Sequence, residues 1–431
     1  VTTASDKAGR ARVRTTPSLR GLMKRLGPGV ITGAADDDPS GIATYSQVGA
    51  QFGYALAWTV VLTTPLMAAV QEIAARIGRV TGEGLGAALI KHTPAWFAKG
   101  IIVALMAANV LNLGADLGAM GDVLRMLIGG PTQAYAIVIA VFCAACEVYL
   151  AYRRYVLILK WLTLSLFAYV ALLFVVQVPV AEVIRSALIP NIALSNDGVM
   201  ALVAVLGTTI SPYLFFWQAS EEVEEEQEEP DPRPLKEHVR DAPKKFAEIR
   251  LDTYLGMVFS NLIALSIIVG TAATLHAHGV TRITTAADAA RALEPIAGSA
   301  ASVIFALGIV GTGLLAVPVL AGSAAYALGE TLRWPVGLGR QAFEARAFYG
   351  TITMATLIGL LIVFSPLDPI KALFMSAVVN GVVSGPIIAA MVVLGSRESV
   401  MGKLVLPKPL QVMGWLTAFL MGLATILLVV L

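Results

Sequence analysis

Eleven stretches of roughly 20 mostly apolar residues recur along this chain, each long enough to cross a bilayer as a helix. They lie near 28–50, 55–75, 98–127, 134–151, 155–178, 198–219, 252–275, 299–328, 348–364, 370–395 and 410–431. They are too numerous to be hidden as the core helices of a soluble globule. Of 431 residues, 57% are hydrophobic and only 14% charged, against about 25% charged in an average soluble domain. Alternation at period two is weak throughout, which argues against a transmembrane β-barrel. A formal net charge of +2 gives no bulk attraction for polyanions, so nucleic acid is not an expected partner. Two cysteines cannot staple a disulfide scaffold. The lipid bilayer is the expected solvent, and an all-α integral membrane protein the expected fold class.

The basic residues set the orientation, because Lys and Arg accumulate in cytoplasmic loops. The chain opens with Lys7, Arg10, Arg12, Arg14, Arg20, Lys24 and Arg25, and no short apolar segment with a cleavage site precedes them, so no signal peptide is expected. If this arm is cytoplasmic, 26 of the 31 Lys and Arg fall on the same side. Only Arg125, Arg185, Arg282, Arg291 and Lys371 fall on the other. The expected topology has a cytoplasmic N-terminus and an external C-terminus, in what would be a bacterial cytoplasmic (inner) membrane. The one long polar insertion, 220–250, opens on the run Glu221–Glu229. It reads as a solvated, partly disordered cytoplasmic loop, with an acidic vestibule for cations as the functional alternative. His276 and His278 read as surface residues, and Cys143 and Cys146 as buried small residues of the fourth span.

Two spans are interrupted. The first contains Asp36-Asp37-Asp38-Pro39-Ser40-Gly41. Each carboxylate in mid-span costs roughly 2.5–3.5 kcal/mol on insertion scales. The proline removes a backbone donor, and the glycine lets the chain unwind. Unwound backbone at membrane depth is tolerated only where it is buried in protein or lines a cavity. The carbonyls it frees, beginning near Ala35, make an oxygen-rich cation site together with a carboxylate. Successive helical residues point about 100° apart, so the three aspartates cannot share one site. Asp38, directly before the break, is the expected ligand. Asp37 would support a hydrated ion, and Asp36 would face a water path or a polar neighbour. The sixth span breaks at Gly207-Thr208-Thr209-Ile210-Ser211-Pro212-Tyr213, where a mid-span proline is again flanked by hydroxyls. The breaks lie five spans apart, in matching positions of two halves, as in an inverted-repeat transporter with a midplane site. The expected organisation is a basic arm (1–26), a first five-helix repeat (27–180), a second, inverted repeat (198–395) and an eleventh helix (410–431).

From about Gly27 to Ser396 the sequence resembles the NRAMP family of divalent metal transporters. The residues that carry the resemblance are Asp38-Pro39-Ser40-Gly41, Ala43-Thr44, Gln47, Gly49-Ala50, Phe52-Gly53-Tyr54 and Ala75-Arg76-Ile77-Gly78-Arg79-Val80-Thr81-Gly82. The resemblance implies a LeuT-like fold with helices 1 and 6 unwound around the metal. The family's Met-Pro-His in span 6 is here Ser211-Pro212-Tyr213, and its asparagine after Asp-Pro-Gly is Gly41. A lost thioether shifts preference toward harder ions such as Mg2+ and Mn2+, and a lost side chain widens the site for a dication that keeps several waters. The family's acidic position in span 3, three residues after Asp116, is Ala119. A phenol in place of imidazole does not exchange protons near neutral pH. The sequence looks most like the family's magnesium-transporter branch. It implies import of partly hydrated Mg2+, and of Mn2+, without proton coupling.

The candidate metal ligands are Asp38, the Ala35 carbonyl, Thr208, Ser211 and Gly41 (through its backbone or a water), with Asp37, Tyr213 and Asn380 further out. Asn380, Asn109 and Asn112 read equally well as interhelical hydrogen-bonders. Proton-coupled Mn2+/Fe2+ symport using Asp36, Asp37 or Asp116 is the alternative, and an amino-acid carrier of the same fold a third. No catalytic motif or ATP-binding loop is present, so neither enzyme nor pump is expected. No cofactor is expected, and the sequence leaves the oligomeric state open.

Overall fold

The structure, a computed structural model, describes residues 28–149, 164–191, 195–229 and 232–430. The basic arm, together with Arg153, Arg154 and Lys160, lies outside the described residues. The first span is two helices, α1 (Pro28–Asp36) and α2 (Pro39–Phe52). The local sequence accounts for the restart. Asp38 has extended backbone, and its Oδ1 accepts hydrogen bonds from the Gly41 N–H at 2.7 Å and the Ser40 hydroxyl at 2.6 Å. Pro39 sits at the first helical position, where a missing N–H costs nothing. Asp38 is thus the N-cap of α2.

The chain continues through α3 (Ala57–Thr81), α4 (Ala95–Ile128), α5 (Thr132–Tyr149) and α6 (Phe167–Leu172), the described helix of the fifth span. The sixth span is again two helices, α7 (Asn196–Thr209) and α8 (Pro212–Gln227). After it come α9 (Ala242–Thr274), α10 (Ala301–Thr331), α11 (Arg346–Val363), α12 (Pro369–Gly395) and α13 (Lys408–Val430). By length and apolarity, eight helical segments among the described residues suffice to cross a membrane. The split first span, the shorter α5 and the partly described fifth span complete the eleven.

The packing carries the repeat. α9 lies along α1 and α2, while α3 lies along α7 and α8; α3 also packs on α9, and α4 on α10. Exchanging the first five spans for the second five maps these pairs onto one another. Because five is odd, the second set enters the membrane from the opposite face. The broken helices occupy the centre, and α2, α7 and the first part of α8 are buried along nearly their whole length. Large apolar side chains such as Val138, Leu361 and Phe419 are left on the outer surface, where lipid is the fitting neighbour. Among the described residues, backbones meet where glycine faces glycine: Gly33 against Gly256, Gly114 against Gly359, and Gly207 against Gly381.

The acidic run differs from expectation. It is helical through Gln227, and Glu222 and Glu226 are buried. The reason is that several of its charges have partners. The Gln218 amide donates to Glu222 at 3.2 Å. Glu224 accepts from the Tyr326 hydroxyl and from the Leu338 and Gly339 N–H groups. Glu229 accepts from Arg79 and from Lys245. Burial works against the Glu229 charge, but the bonds from Lys245 and Arg79 outweigh it and hold its carboxyl below the usual carboxylate range. That contribution is present at neutral pH and fades as pH falls through the carboxylate range. The following loop is stitched to the end of α3, where the Arg79 and Val80 carbonyls accept the Leu235 and Lys236 N–H groups.

A β-carbon at Gly207 would sit 2.0 Å from the Ala377 carbonyl oxygen, whereas one at Gly422 meets nothing within 4 Å. Gly207→Ala is therefore expected to cost about 1–3 kcal/mol through overpacking and to lower the melting midpoint in detergent. Gly422→Ala should melt like the parent.

Candidate functional site

The two breaks meet. Residues 37–38 of the first span and 210–211 of the sixth are non-helical, and the contacts between them are direct. The Tyr213 hydroxyl, one residue into α8, lies 3.2 Å from the Ala35 carbonyl and 3.4 Å from Asp38 Oδ2. The Tyr45 and Thr209 hydroxyls are 3.0 Å apart. A side chain at Gly41 would begin 3.3 Å from Thr208 Oγ1 and 3.6 Å from the Asp36 carbonyl. Asp38, Ala35, Gly41, Thr208 and Tyr213 therefore converge on one point. All are buried.

Helix ends shape the field there. α1 and α7 end at this point and α2 and α8 begin there, so carbonyls and N–H groups without helical partners gather around it, several of them met by side chains. Asp38 sits at the positive end of α2, where the macrodipole favours an anion. No ion pair to a described Lys or Arg involves Asp36, Asp37, Asp38 or Asp116. The site is an anionic pocket in low dielectric, lined by neutral oxygens. Among the described residues, no cluster of three or more His, Cys, Asp or Glu closes on a metal. Carbonyls, hydroxyls and amides have to supply most of any coordination shell.

The other candidates are held differently. Ser211 turns back on its own broken helix, bonding to the Gly207 and Thr208 carbonyls at 3.1 and 2.8 Å. Asp36 and Asp37 face away from Asp38 toward α9, where the Ser260 hydroxyl lies 2.6 and 3.1 Å from them. Asn380 is fully buried, with neither side-chain polar atom paired. It lies midway between Ser376 and Ser384 on one face of α12. Ser384 donates to the Ile210 carbonyl at 2.8 Å, in the break itself. Thr208 Oγ1 is likewise buried without a partner. Unpaired polar atoms around such a pocket are natural holders of water.

Asn112, which the sequence leaves open between a site role and an interhelical hydrogen bond, has Asp38 as its partner. Its amide donates to Asp38 Oδ2 at 2.8 Å, and its own oxygen accepts from Ser376 at 2.6 Å. Ser260, Ser323 and Ser376 were not singled out at all. Ser323 donates to the Tyr213 carbonyl at 2.8 Å. The usable signal was a carboxamide one turn before Asp116, on the face of a central helix.

Paired broken helices around a buried polar centre, in inverted repeats, define a secondary transporter of the LeuT-like fold. The chain belongs to the Nramp family, whose model, described as natural resistance-associated macrophage protein-like, matches residues 29–431. The divalent metal cation transporter MntH of Klebsiella pneumoniae is 25% identical over 402 residues, covering 90% of each chain. The MntH of Yersinia enterocolitica is 26% identical over 437 residues, covering 97% of this chain and 98% of its own. In three dimensions, the manganese transporter of Eremococcus coleocola superposes with a TM-score of 0.74 at 16% identity, over 96% of this chain and 88% of that one. Mhp1, a nucleobase-cation-symport-1 family transporter, gives 0.52 at 13% identity, over 94% and 92%. The protein is a membrane transporter, not an enzyme.

Ser376 orients Asn112, which in turn holds Asp38. Ser376→Ala should cost about 1–3 kcal/mol, the penalty for an acceptor left unpaired in a core, read as a lower unfolding midpoint. Ser384→Ala, which strips the Ile210 carbonyl of its side-chain donor at the other break, should cost a similar amount.

Proposed function

We propose that the protein imports divalent metal ions by alternating access, carrying partly hydrated Mg2+ first and Mn2+ second, without proton coupling. The observation that carries this reading is the ligand set at the break. One carboxylate, Asp38, stands with the Ala35 carbonyl and the Thr208 and Tyr213 hydroxyls, and the Asn112 amide N–H orients it. Oxygen suits hard dications. Unpaired Thr208 and Asn380 beside the break offer hydrogen bonds to the waters of an ion that keeps its hydration. The relatives' names speak for a dication and include manganese. An amino-acid cargo fits poorly, since its carboxylate would face an anionic pocket with no cation to receive it.

Uncoupled import has sufficient driving force. A dication entering down a potential of about 100 mV, inside negative, gains about 4.6 kcal/mol. This presumes a cytoplasmic N-terminus and external C-terminus in a bacterial cytoplasmic membrane. Of the basic residues there, Arg76, Arg79, Lys236, Lys245 and Arg250 lie together at one end of the bundle. Proton-coupled Mn2+/Fe2+ symport is the second reading. It is favoured by the manganese in the neighbour's name and by the buried carboxylate of Asp116.

In proteoliposomes, Asp38→Asn is expected to abolish Mg2+ and Mn2+ uptake. Retained uptake would falsify the site assignment, and strong acidification of the lumen on metal addition would favour symport. Gly41→Asn sets a carboxamide against Thr208 and should cut Mg2+ uptake about tenfold while sparing Mn2+, which sheds water more readily. Competition between the two metals in one flux assay reads that ratio.

A further inference from the structure

A groove on the outer surface of the bundle lies between α4, α10 and α11, three helices packed against one another. Its volume is about 240 Å³. It exists because the first turns of α11 carry the small side chains of Ala347, Gly350 and Thr351 opposite the larger Met106, Leu328 and Trp334. A β-carbon at Gly350 would meet nothing within 4 Å. The Thr351 hydroxyl turns back to the Ala347 carbonyl at 2.9 Å, so the walls are apolar. Met354, in the same wall, is 56% exposed, and on a membrane transporter the neighbour of such a face is lipid.

One end of the groove is rimmed by cations. α10 ends in a turn where the Arg333 and Trp334 N–H groups donate to the Glu330 and Gly329 carbonyls at 3.2 and 2.8 Å. Glycine usually makes this turn, yet Arg333 fills its left-handed position with a φ of 58°. The turn folds Trp334 back over the groove and leaves Arg333 exposed beside it. Arg346 opens α11, four residues before Gly350 and so on the groove face. Lys99 lies near the start of α4, seven residues before Met106 and on the same face. All three are exposed, and none has an ion pair with a described acid. The neighbouring acids are engaged elsewhere, Glu330 with the Ser220 hydroxyl and the Gly86 N–H, and Glu344 with the Gln341 N–H. Three helix ends thus bring three unpaired cations to one end of an apolar slot.

We propose that this groove binds one anionic phospholipid, with an acyl chain in the slot and the phosphate at Arg333, Arg346 and Lys99. The inference holds whichever ion is carried. A phospholipid is the occupant because the two parts of the site match its two parts. Trp334 stands at their boundary, as indoles do at membrane interfaces. Basic pockets at the ends of transmembrane helices hold anionic headgroups. A soluble phosphate would leave the slot unfilled, and a neutral lipid would leave the cations unpaired.

Native mass spectrometry of the detergent-purified protein tests this, with titration by phosphatidylglycerol or by phosphatidylcholine of the same chains. One phosphatidylglycerol should be retained in preference to phosphatidylcholine. Arg333→Gln and Arg346→Gln should each weaken that binding about fivefold, the effect of one basic side chain near an anionic lipid. Gly350→Leu should fill the slot and lower retention. Gly422→Leu, on α13 where an added side chain likewise meets nothing, should match the parent. Equal retention of the two lipids would overturn the proposal. So would phosphatidylglycerol binding that Gly350→Leu leaves unmoved, or that Gly422→Leu lowers as much. Displacement of the lipid by excess glycerol phosphate would reduce the site to a phosphate site without a chain. A dimer that Gly350→Leu dissociates would give the groove to a second copy of the protein. Either result overturns the lipid assignment.

Discussion

A carboxylate at the centre of a bilayer needs partners, and the rest of this structure follows from how Asp38 gets them. Its own sequence supplies the first: Pro39 ends one helix and starts another, and Ser40 and Gly41 bond back to Oδ1. The second side of the carboxylate is left to other spans, through Asn112 and Tyr213. A cap is normally found where a helix meets water. Here it lies inside the protein, and the unwound residues it terminates are tolerated because a second broken helix faces them. The two breaks need each other. Ala35 gives its carbonyl to Tyr213 of the other span, Tyr45 meets Thr209, and Gly41 leaves its space to Thr208.

The end of the bundle that carries the acidic run shows the same economy with charges. A run of glutamates at the end of α8 opposes the helix dipole, and it is held because Arg79, Lys245, Tyr326 and the 338–339 backbone meet it. These partners come from the second, seventh and eighth spans and the loop beyond. α8 is thereby tied to its surroundings at the end far from the break.

Much of the fold was legible in the sequence, because the bilayer makes long apolar runs and mid-span prolines nearly unambiguous. The break at Asp38 was legible for a local reason, since cap, proline and glycine lie within four residues. The partners of that break were not. Asn112 lies 74 residues from Asp38, and Ser376 lies 264 from Asn112. Ser260 meets Asp36 from 224 residues away. Serine and asparagine in a span look alike whether they join two helices or serve a pocket, and only the packing distinguishes them. The acidic run misled for the opposite reason. Composition alone reads nine mostly acidic residues as solvated, and their partners are again distant.

The contact of Gly207 with Gly381 has a mechanical consequence. With no side chain between them, α7 and α12 touch along their backbones, and interlocked surfaces of that kind resist sliding. α8 is fastened elsewhere, to α3 and α10. Between these two anchored rods stand only Ile210 and Ser211. A change of angle between α7 and α8 would have to be taken up in those two residues, which makes them the pivot rather than merely a gap.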